Sequence, residues 1–325
     1  MIKHFVVFSL FACLSVQELP ADQTYQRKQD GFEVLGLRND YWSVEVVPDL
    51  GGKLISLADQ VSGREWLWSR EEDRHLLEAE QFGHGNLIGA DELFPNLIAE
   101  EWDDRQLPGH GELWSSKTKW DCAALQQGVI RTEVSLESMP IDYKRELSLD
   151  GREITIEITV TNTSGKALPF LWAWHPLFNI EAGDEFLISS PPAEFRVMGA
   201  PGLPDLGAGD TLSWPGEAQG VDLSTLSLGD VPKAGIKLYS DAPGDSQVTL
   251  NNTQTGAGLT LVSDTDSLPY MAIWLSRGVW GNAHHLAIEP TNLSGESLET
   301  AVPASYLGPN EQRAWRLKLV NISED

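Results

Sequence analysis

The sequence has few cysteines and few basic residues, and each shortage excludes some classes of fold or of binding partner. Only Cys13 and Cys122 occur in the 325 residues, so no disulfide framework is indicated. Lysine and arginine together number 23, against 48 aspartates and glutamates, and the formal net charge is −25. Because a chain this acidic repels polyanions, we expect no nucleic-acid partner and no anionic membrane surface. The charge also argues against a phosphorylated substrate, unless a local arginine cluster offsets the field.

Long hydrophobic runs are also lacking, except for one at the N-terminus. In MIKHFVVFSLFACLSV a single lysine precedes about a dozen mostly apolar residues, too few to span a bilayer. This pattern is typical of a signal peptide, and LFAC at residues 10–13 loosely matches a lipoprotein cleavage sequence. We therefore predict a signal or lipoprotein peptide over residues 1–20 and an exported protein, periplasmic or lipid-anchored. A cytoplasmic protein whose first strand or start codon mimics the pattern is the alternative.

The sequence also lacks long amphipathic helices, fixed-period repeats and any change of composition that would divide two domains. Short segments in which apolar and polar residues alternate recur instead from Trp120 onward, separated by turns. The clearest is GREITIEITVTN, residues 151–162. The sequence predicts an all-β fold in which residues 21–325 form one large antiparallel β-sandwich.

Tryptophan, in contrast, is abundant, with 12 residues. Its ring is a surface on which the C–H face of a sugar can stack, so the excess suggests a carbohydrate ligand. Trp280, Trp174 and Trp114 are the candidates for such a stacking platform, and core packing is an equally good explanation for each.

One strongly apolar run ends in a histidine. LPFLWAWHPLFNI, residues 168–180, is apolar on both faces of a strand, so we expect both faces to be covered. His175 comes just before Pro176, which tends to end a central strand. A polar side chain at the mouth of a packed sheet is well placed for chemistry, although a core histidine that is hydrogen-bonded to the backbone fits the same pattern.

Two further segments place a titratable residue beside glycine or proline at a strand end or loop. They are LPGHGELW with His110 and HLAIEPTN with Glu289. An imidazole and a carboxylate that face each other across a cleft can transfer protons as acid and base at neutral pH. Glu289 taken alone fits a structural carboxylate equally well.

Other catalytic patterns are absent or incomplete. The sequence contains no nucleophile elbow, phosphate-binding loop or dinucleotide fingerprint. The adjacent His284 and His285 would point to opposite faces of a strand, and no zinc-type spacing occurs, so no metal site is predicted. Asp91 and Glu92 could form a glycosidase pair with Glu289, but that assignment depends on a separation between carboxylates that the sequence does not give.

Four segments, in this order along the chain, resemble the aldose 1-epimerase (galactose mutarotase-like) superfamily: GGKLISLADQVSGREWLW, HGELW, HPLFNI and IEPTNLSGESLETA. The resemblance covers about residues 32–322. It implies a large β-sandwich with a sugar-binding cleft on the concave face of one sheet. It also implies an isomerase of carbohydrate metabolism that interconverts the α and β anomers of a neutral aldose. Such an enzyme has a small-molecule sugar as partner and uses no metal or organic cofactor. The oligomeric state and the identity of the sugar stay open.

The resemblance also implies roles for three residues. Glu289 matches the general base that takes the proton from the anomeric hydroxyl, and His175 matches the general acid that protonates the ring oxygen. His110 matches a second cleft histidine that holds the sugar's hydroxyls and ring oxygen. A non-catalytic carbohydrate-binding protein of the same fold and a glycoside-processing enzyme are the alternative functions.

The chain departs from the superfamily pattern at two sugar contacts. An Asn-Arg pair is expected before the histidine of HG, where this chain has ADELFPNL, and the later region near VPKAGIKLYSD offers no obvious aspartate in the place where the superfamily has one. Asp91 and Glu92 are candidates to replace the missing hydroxyl contacts, with a structural role as the alternative. Arg145 shares strand parity with apolar residues, so we expect it to be a buried ion-pair partner.

Overall fold

The computed structural model describes residues 23–69, 75–79, 81–83, 88–214, 217–218, 221–228, 233–240, 247–279 and 284–324. The predicted leader and Trp280 lie outside the described residues. Cys122 is disulfide-bonded, which the small number of cysteines did not predict. No helix in the described ranges has the length and apolar character needed to cross a membrane.

Strands make up most of the described chain, and we number them in chain order. The first are β1 (Gln23–Gln29), β2 (Phe32–Arg38), β3 (Trp42–Val47), β4 (Lys53–Asp59), β5 (Ala90–Leu93), β6 (Glu100–Trp102), β7 (Arg105–Leu107), β8 (Lys119–Trp120) and β9 (Val129–Ser135). The middle ones are β10 (Ile141–Asp150), β11 (Glu153–Asn162), β12 (Leu168–Pro169), β13 (Ala173–Pro176), β14 (Phe178–Asn179), β15 (Asp184–Ile188), β16 (Glu194–Gly199), β17 (Thr211–Ser213), β18 (Glu217–Ala218), β19 (Val221–Asp222) and β20 (Ser227–Leu228). The last are β21 (Ala234–Ser240), β22 (Gln247–Asn252), β23 (Gly258–Ser263), β24 (Tyr270–Arg277), β25 (His284–Thr291), β26 (Tyr306–Leu307) and β27 (Gln312–Asn321).

Within the described residues, helical structure is limited to short turns. The α-helix α1 (Cys122–Leu125) begins after Asp121, whose side chain accepts hydrogen bonds from the first free backbone N–H groups. Single 3₁₀ turns occupy Pro48–Leu50, Leu113–Ser115, Leu298–Thr300 and Pro303–Ser305.

Two large antiparallel sheets contain most strands of the described residues, beside three small sheets of two or three strands. The larger has the order β1-β2-β3-β4-β5-β13-β25-β24-β21-β16-β17, with β14 also paired to β25, and the smaller has the order β15-β22-β23-β27-β11-β10-β9-β8. One hydrophobic core contains buried side chains from both sheets. In β11 the residues alternate between buried and half-buried, as the period-2 pattern requires. The prediction of an all-β antiparallel sandwich is confirmed.

A buried ion pair joins the two sheets. Arg145 of β10 donates from Nη1 to Oε1 of Glu92 in β5 at 2.9 Å, and the two side chains are only 1% and 2% exposed. The other oxygen of Glu92 accepts from the Tyr143 hydroxyl and, at 2.9 Å, from the Trp172 indole. The expectation that Arg145 is a buried ion-pair partner is confirmed. Both oxygens of the carboxylate have partners inside the sandwich, so these hydrogen bonds offset the free-energy cost of burying its charge.

Strand β13 lies between β5 and β25 and thereby sets the geometry of the site. His175 is paired with Asp91 of β5, and Ala173 is paired with Thr291 of β25. Opposed residues of an antiparallel pair point to the same face, as do residues two apart along a strand. His175 follows Ala173 by two residues and Glu289 precedes Thr291 by two, so both side chains project from the same face of the larger sheet.

Candidate active site

The structure brings together the two residues that the sequence predicts as acid and base. His175 Nε2 lies 3.8 Å from Oε1 of Glu289, on the adjacent strand. The exposed fraction of the side chain is 8% for His175 and 0% for Glu289. Each of the two residues is followed by a proline within its own strand, Pro176 in β13 and Pro290 in β25. Two residues that are 114 positions apart in the sequence thus meet at one point of the sheet.

Lys237 is the closest partner of Glu289, and the sequence did not predict it. Its Nζ donates to both carboxylate oxygens at 2.6 Å. Lys237 is on β21 and is paired with Trp274 of β24, whereas Glu289 of β25 is paired with Ala272, two residues before Trp274 on the same strand. The lysine side chain therefore reaches the carboxylate diagonally across β24.

His110 reaches the same site from a tight loop. Its φ is +66° and that of Gly111 is +72°, so two successive residues adopt the left-handed conformation. The rings of His110 and His175 are edge to face, with centroids 6.1 Å apart. Phe82 stacks flat on His110 at 3.8 Å and meets His175 edge-on at 5.7 Å. The loop therefore holds a histidine and supports an aromatic ring beside the acid–base pair.

Replacement of Gly111 by alanine is expected to destabilise this loop. A Cβ at residue 111 would overlap the carbonyl oxygen of Phe94, whereas one at Gly128, with φ +81°, would meet no atom within 4 Å. A left-handed alanine costs about 1–2 kcal/mol in either place. The overlap should lower the free energy of unfolding of Gly111→Ala by about a further 1–3 kcal/mol. Urea unfolding of Gly111→Ala and Gly128→Ala measures the difference, and equal losses would contradict the steric argument.

A cavity of about 440 Å³ opens over these residues. This volume lies within the range of small-molecule sites. The lining is a mainly apolar wall with a few polar groups, made of Phe82, Gly83, Leu93, Leu97, Ile98, Ala99, Gly109, His110, His175, Leu177, Lys237, Trp274, His285 and Glu296. Glu289 itself is covered and does not line the cavity. Such a wall suits the C–H face of a sugar, and the polar groups suit its hydroxyls.

The histidines of the cavity are held neutral. Burial lowers the pKa of His175 well below its usual value, and the positive charge of Lys237 lowers it further. Burial and the neighbouring His175 lower the pKa of His110 to about 3. Burial lowers the pKa of His285 to about 4. At pH 7 these imidazoles therefore donate or accept hydrogen bonds without carrying charge.

His285 is fixed in one tautomer. The indole N–H of Trp274 donates to its Nε2 at 3.1 Å, so the proton of the neutral ring is on Nδ1. Burial raises the pKa of Glu296, which also lines the cavity.

Of the other predicted contacts, Asp91, Glu92 and Trp174 lie in the described residues and do not line the cavity. Asp91 shares the face of His175, but its Oδ2 is 2.9 Å from Nζ of Lys53, and both side chains are buried. Burial raises the pKa of this carboxyl, and the ion pair with Lys53 opposes the shift. Glu92 points to the other face, into the interior between the sheets. Trp174 is buried in the core.

Trp114 lies at the edge of the site without lining the cavity. It is 5% exposed and meets Phe82 edge-on at 5.4 Å.

Of the site residues that the sequence did not predict, Lys237 had a recognisable signal, since it interrupts the apolar strand AGIKLYS. Phe82 and Glu296 lie in segments without a regular alternation of apolar and polar residues, so no strand pattern pointed to them. Across the described ranges, no three His, Cys, Asp or Glu side chains are grouped to hold a metal ion.

Comparison with known proteins gives a family and a set of similar folds. Residues 33–204, more than half of the chain, match the family described as aldose 1-epimerase. The chain is similar to the Slr1438 protein from Synechocystis sp. PCC 6803, with 16% identity and a TM-score of 0.67 over 96% of this chain and 100% of that chain. It is also similar to a galactose mutarotase-like protein from Clostridium acetobutylicum, with 17% identity and a TM-score of 0.67 over 94% and 99% of the two chains.

A galactose mutarotase-like protein from Lactobacillus casei shares 18% identity, with a TM-score of 0.64 over 89% of this chain and 99% of that chain. No curated protein sequence matches this chain. Structures at these identities show a common fold. His110 and His175 lie within the residues that match the family, and Glu289 and Lys237 lie beyond them.

Proposed function

Since the chain belongs to the aldose 1-epimerase family, we propose that it interconverts the α and β anomers of a neutral aldose by acid–base ring opening. The observation that carries this proposal is the 3.8 Å separation of His175 Nε2 and Glu289 Oε1 beneath a cavity large enough for a pyranose. A base and a hydrogen-bond donor this close together can serve two oxygens of one sugar ring.

In the proposed reaction Glu289 takes the proton of the anomeric hydroxyl. The C1–O5 bond then breaks, the anomeric oxygen becomes a carbonyl, and the ring oxygen gains a proton. Rotation about C1–C2 presents the other face of the carbonyl, and reclosure gives the other anomer. His175 gives the ring oxygen this proton as the acid and takes it back on reclosure, which is the role that the family resemblance implies for it. His110 and the aromatic rings around it support the bound sugar.

The contact between Lys237 and Glu289 favours a second candidate function. The carboxylate is 0% exposed, and both of its oxygens are already bound by one ammonium group. If the ammonium stays there when a sugar binds, the cleft binds a carbohydrate without opening its ring. A non-catalytic carbohydrate-binding protein is therefore the alternative.

A polarimetric panel separates these functions. We expect the unmodified protein to accelerate the change of optical rotation of at least one freshly dissolved neutral aldose, from a set that includes glucose, galactose, mannose, xylose and arabinose. Heat-inactivated protein serves as the blank for spontaneous mutarotation. Calorimetric binding of a sugar without any acceleration would support the binding protein instead, and the enzyme proposal would fail for that panel.

A further inference from the structure

Charged and titratable side chains form a row across the larger sheet beneath the cavity. The strand order β4-β5-β13-β25 brings Lys53, Asp91, His175 and Glu289 side by side, one from each strand. Asp91 is paired with His175 across β5 and β13, and Lys53 binds Asp91 at 2.9 Å from the other side. His175 therefore lies between two buried carboxylates, and the proposed reaction uses only Glu289.

Asp91 is the carboxylate to which the reaction assigns no role. It is buried and does not line the cavity, so it can act on a sugar only through another side chain. Its Oδ2 accepts a hydrogen bond from Nζ of Lys53 at 2.9 Å. Its Oδ1 is also buried, and among the described residues it has no hydrogen-bond donor. Because an unsatisfied buried carboxylate oxygen is costly, this oxygen calls for a donor.

The neighbouring group that matches this oxygen is Nδ1 of His175. It too is buried, and within the described ranges no hydrogen bond reaches it. Directly opposed residues of an antiparallel pair project from the same face with Cβ atoms about 4.5–5.5 Å apart. That spacing suits a hydrogen bond that tightens when substrate binds, as catalytic hydrogen bonds often do, or a contact through one bridging water.

We propose that Asp91 is a positioning residue for His175, with Oδ1 accepting the Nδ1–H of the imidazole, directly or through one water, while Lys53 holds Oδ2. The inference rests on the proposed anomer interconversion. A ring that keeps its proton on Nδ1 has Nε2 available to give a proton to the ring oxygen and to take it back. Nε2 is also the nitrogen that lies 3.8 Å from Glu289, so the reactive atom is held beside the base.

An anion at Nδ1 favours the charged form that the acid needs. During ring opening the imidazolium of His175 gives its Nε2 proton to the ring oxygen and becomes a neutral ring with its proton on Nδ1, while Glu289 gains the anomeric proton. Reclosure reverses both transfers, and Asp91 and Lys53 keep their charges throughout. Burial and the charge of Lys237 lower the pKa of His175, and a carboxylate partner opposes this shift.

The backbone carbonyl of His175 itself is the competing acceptor for the Nδ1 proton. Burial lowers the pKa of the ring, and this carbonyl opposes that shift. If the carbonyl were sufficient, Asp91 and Lys53 would form only a structural ion pair. Replacement of Asp91 would then alter the stability of the protein and leave the tautomer of His175 and the turnover of the folded enzyme unchanged.

Asp91→Asn distinguishes the two explanations. An ammonium group can bond only to the oxygen of the amide, so Lys53 should turn the amide nitrogen toward His175. That nitrogen is a donor and fits only a ring whose Nδ1 carries no proton. With a sugar that the unmodified protein turns over, we expect kcat to fall about 10²–10⁴-fold, as for the aspartate that orients the histidine of serine proteases. KM should stay within a few-fold, because Asp91 does not line the cavity.

Asp184→Asn is the matched control. Asp184 belongs to another buried ion pair, at 2.7 Å from Arg64, and it does not line the cavity. The same chemical change is thus made at a comparable depth, and folded Asp184→Asn protein should retain the full kcat. Equal losses of kcat in the two variants would mean that disruption of a buried ion pair is the cause, and the positioning role would be overturned.

Nitrogen-15 NMR of protein labelled at histidine gives a readout that a structural role would not move. The shifts of the two ring nitrogens distinguish the tautomers, and His175→Gln identifies the signals of His175 by their loss. We expect the proton of the neutral ring on Nδ1 in the unmodified protein and on Nε2 in Asp91→Asn. A proton on Nε2 in the unmodified protein would overturn the inference, even if Asp91→Asn does not fold.

Failure of this inference can be told apart from failure of the proposed function. No acceleration by the unmodified protein would remove that function and, with it, any part of Asp91 in the reaction. An active unmodified protein whose folded Asp91→Asn variant keeps its kcat would overturn only the positioning role, whichever tautomer the variant shows.

Discussion

Glu289→Gln is expected to lower the rate of mutarotation by about 10²–10⁴-fold, the usual contribution of a positioned general base. The amide has nearly the same shape as the carboxylate, but it cannot accept the anomeric proton. Because glutamine keeps the size of glutamate and one carbonyl oxygen that accepts hydrogen bonds, we expect the binding of the sugar to survive the change. Initial rates from polarimetry and affinities from calorimetry test the two parts separately.

Glu157→Gln is a suitable control for that experiment. Glu157 pairs with Arg316 at 3.2 Å, and the two side chains are 43% and 52% exposed. The same chemical change is therefore made at a carboxylate remote from the cavity. Glu289→Gln protein that turns over the sugar at the rate of the control would rule out Glu289 as the base.

Glu92→Ala is expected to lower the free energy of unfolding by about 3–5 kcal/mol, because it leaves the charge of Arg145 buried without its partner. Arg145 is 1% exposed, and its guanidinium contacts only Glu92 and the Gly52 carbonyl through the hydrogen bonds that the structure shows. Tyr143 and Trp172 would lose their acceptor in the same variant. Urea denaturation measures the loss.

A double variant isolates the unpaired charge as the cause. Glu92→Met with Arg145→Met removes both charges and keeps similar volumes, so we expect a smaller loss of stability than for Glu92→Ala. If the double variant is the less stable protein, the cost lies in packing and the ion-pair argument is wrong. This experiment also separates Glu92 from the sugar site, since mutarotation by folded protein should be retained.

The fold could be predicted from the sequence to a large extent, because alternation is a local property. In GREITIEITVTN every second residue is apolar, and β11 buries those residues and half-buries the rest. The two-sided apolar run around His175 likewise predicted a covered strand, and the four residues of β13 are all buried. Such patterns do not specify which strand lies beside which. The sheet order therefore had to come from the structure.

The candidate site was predicted in part for the same reason. His175 and Glu289 could be named because each interrupts an apolar strand just before a proline, and the resemblance to a family supplied their roles. Asp91 and Glu92 could not be distinguished, since adjacent carboxylates on one strand differ only in the face to which they point. One faces the side of His175 and pairs with Lys53, and the other faces the core and pairs with Arg145.

By itself the sequence determined that this protein is an all-β sandwich, that it is strongly acidic, and that a histidine and a glutamate each interrupt an apolar strand just before a proline. Only the tertiary structure decided that Lys237 binds Glu289. The physical reason is that the strand sequence β5-β13-β25-β24-β21 is set by pairing between distant segments. That pairing brings the Lys237 side chain of β21 across β24 and against the Glu289 carboxylate of β25, a neighbourhood that no local pattern contains.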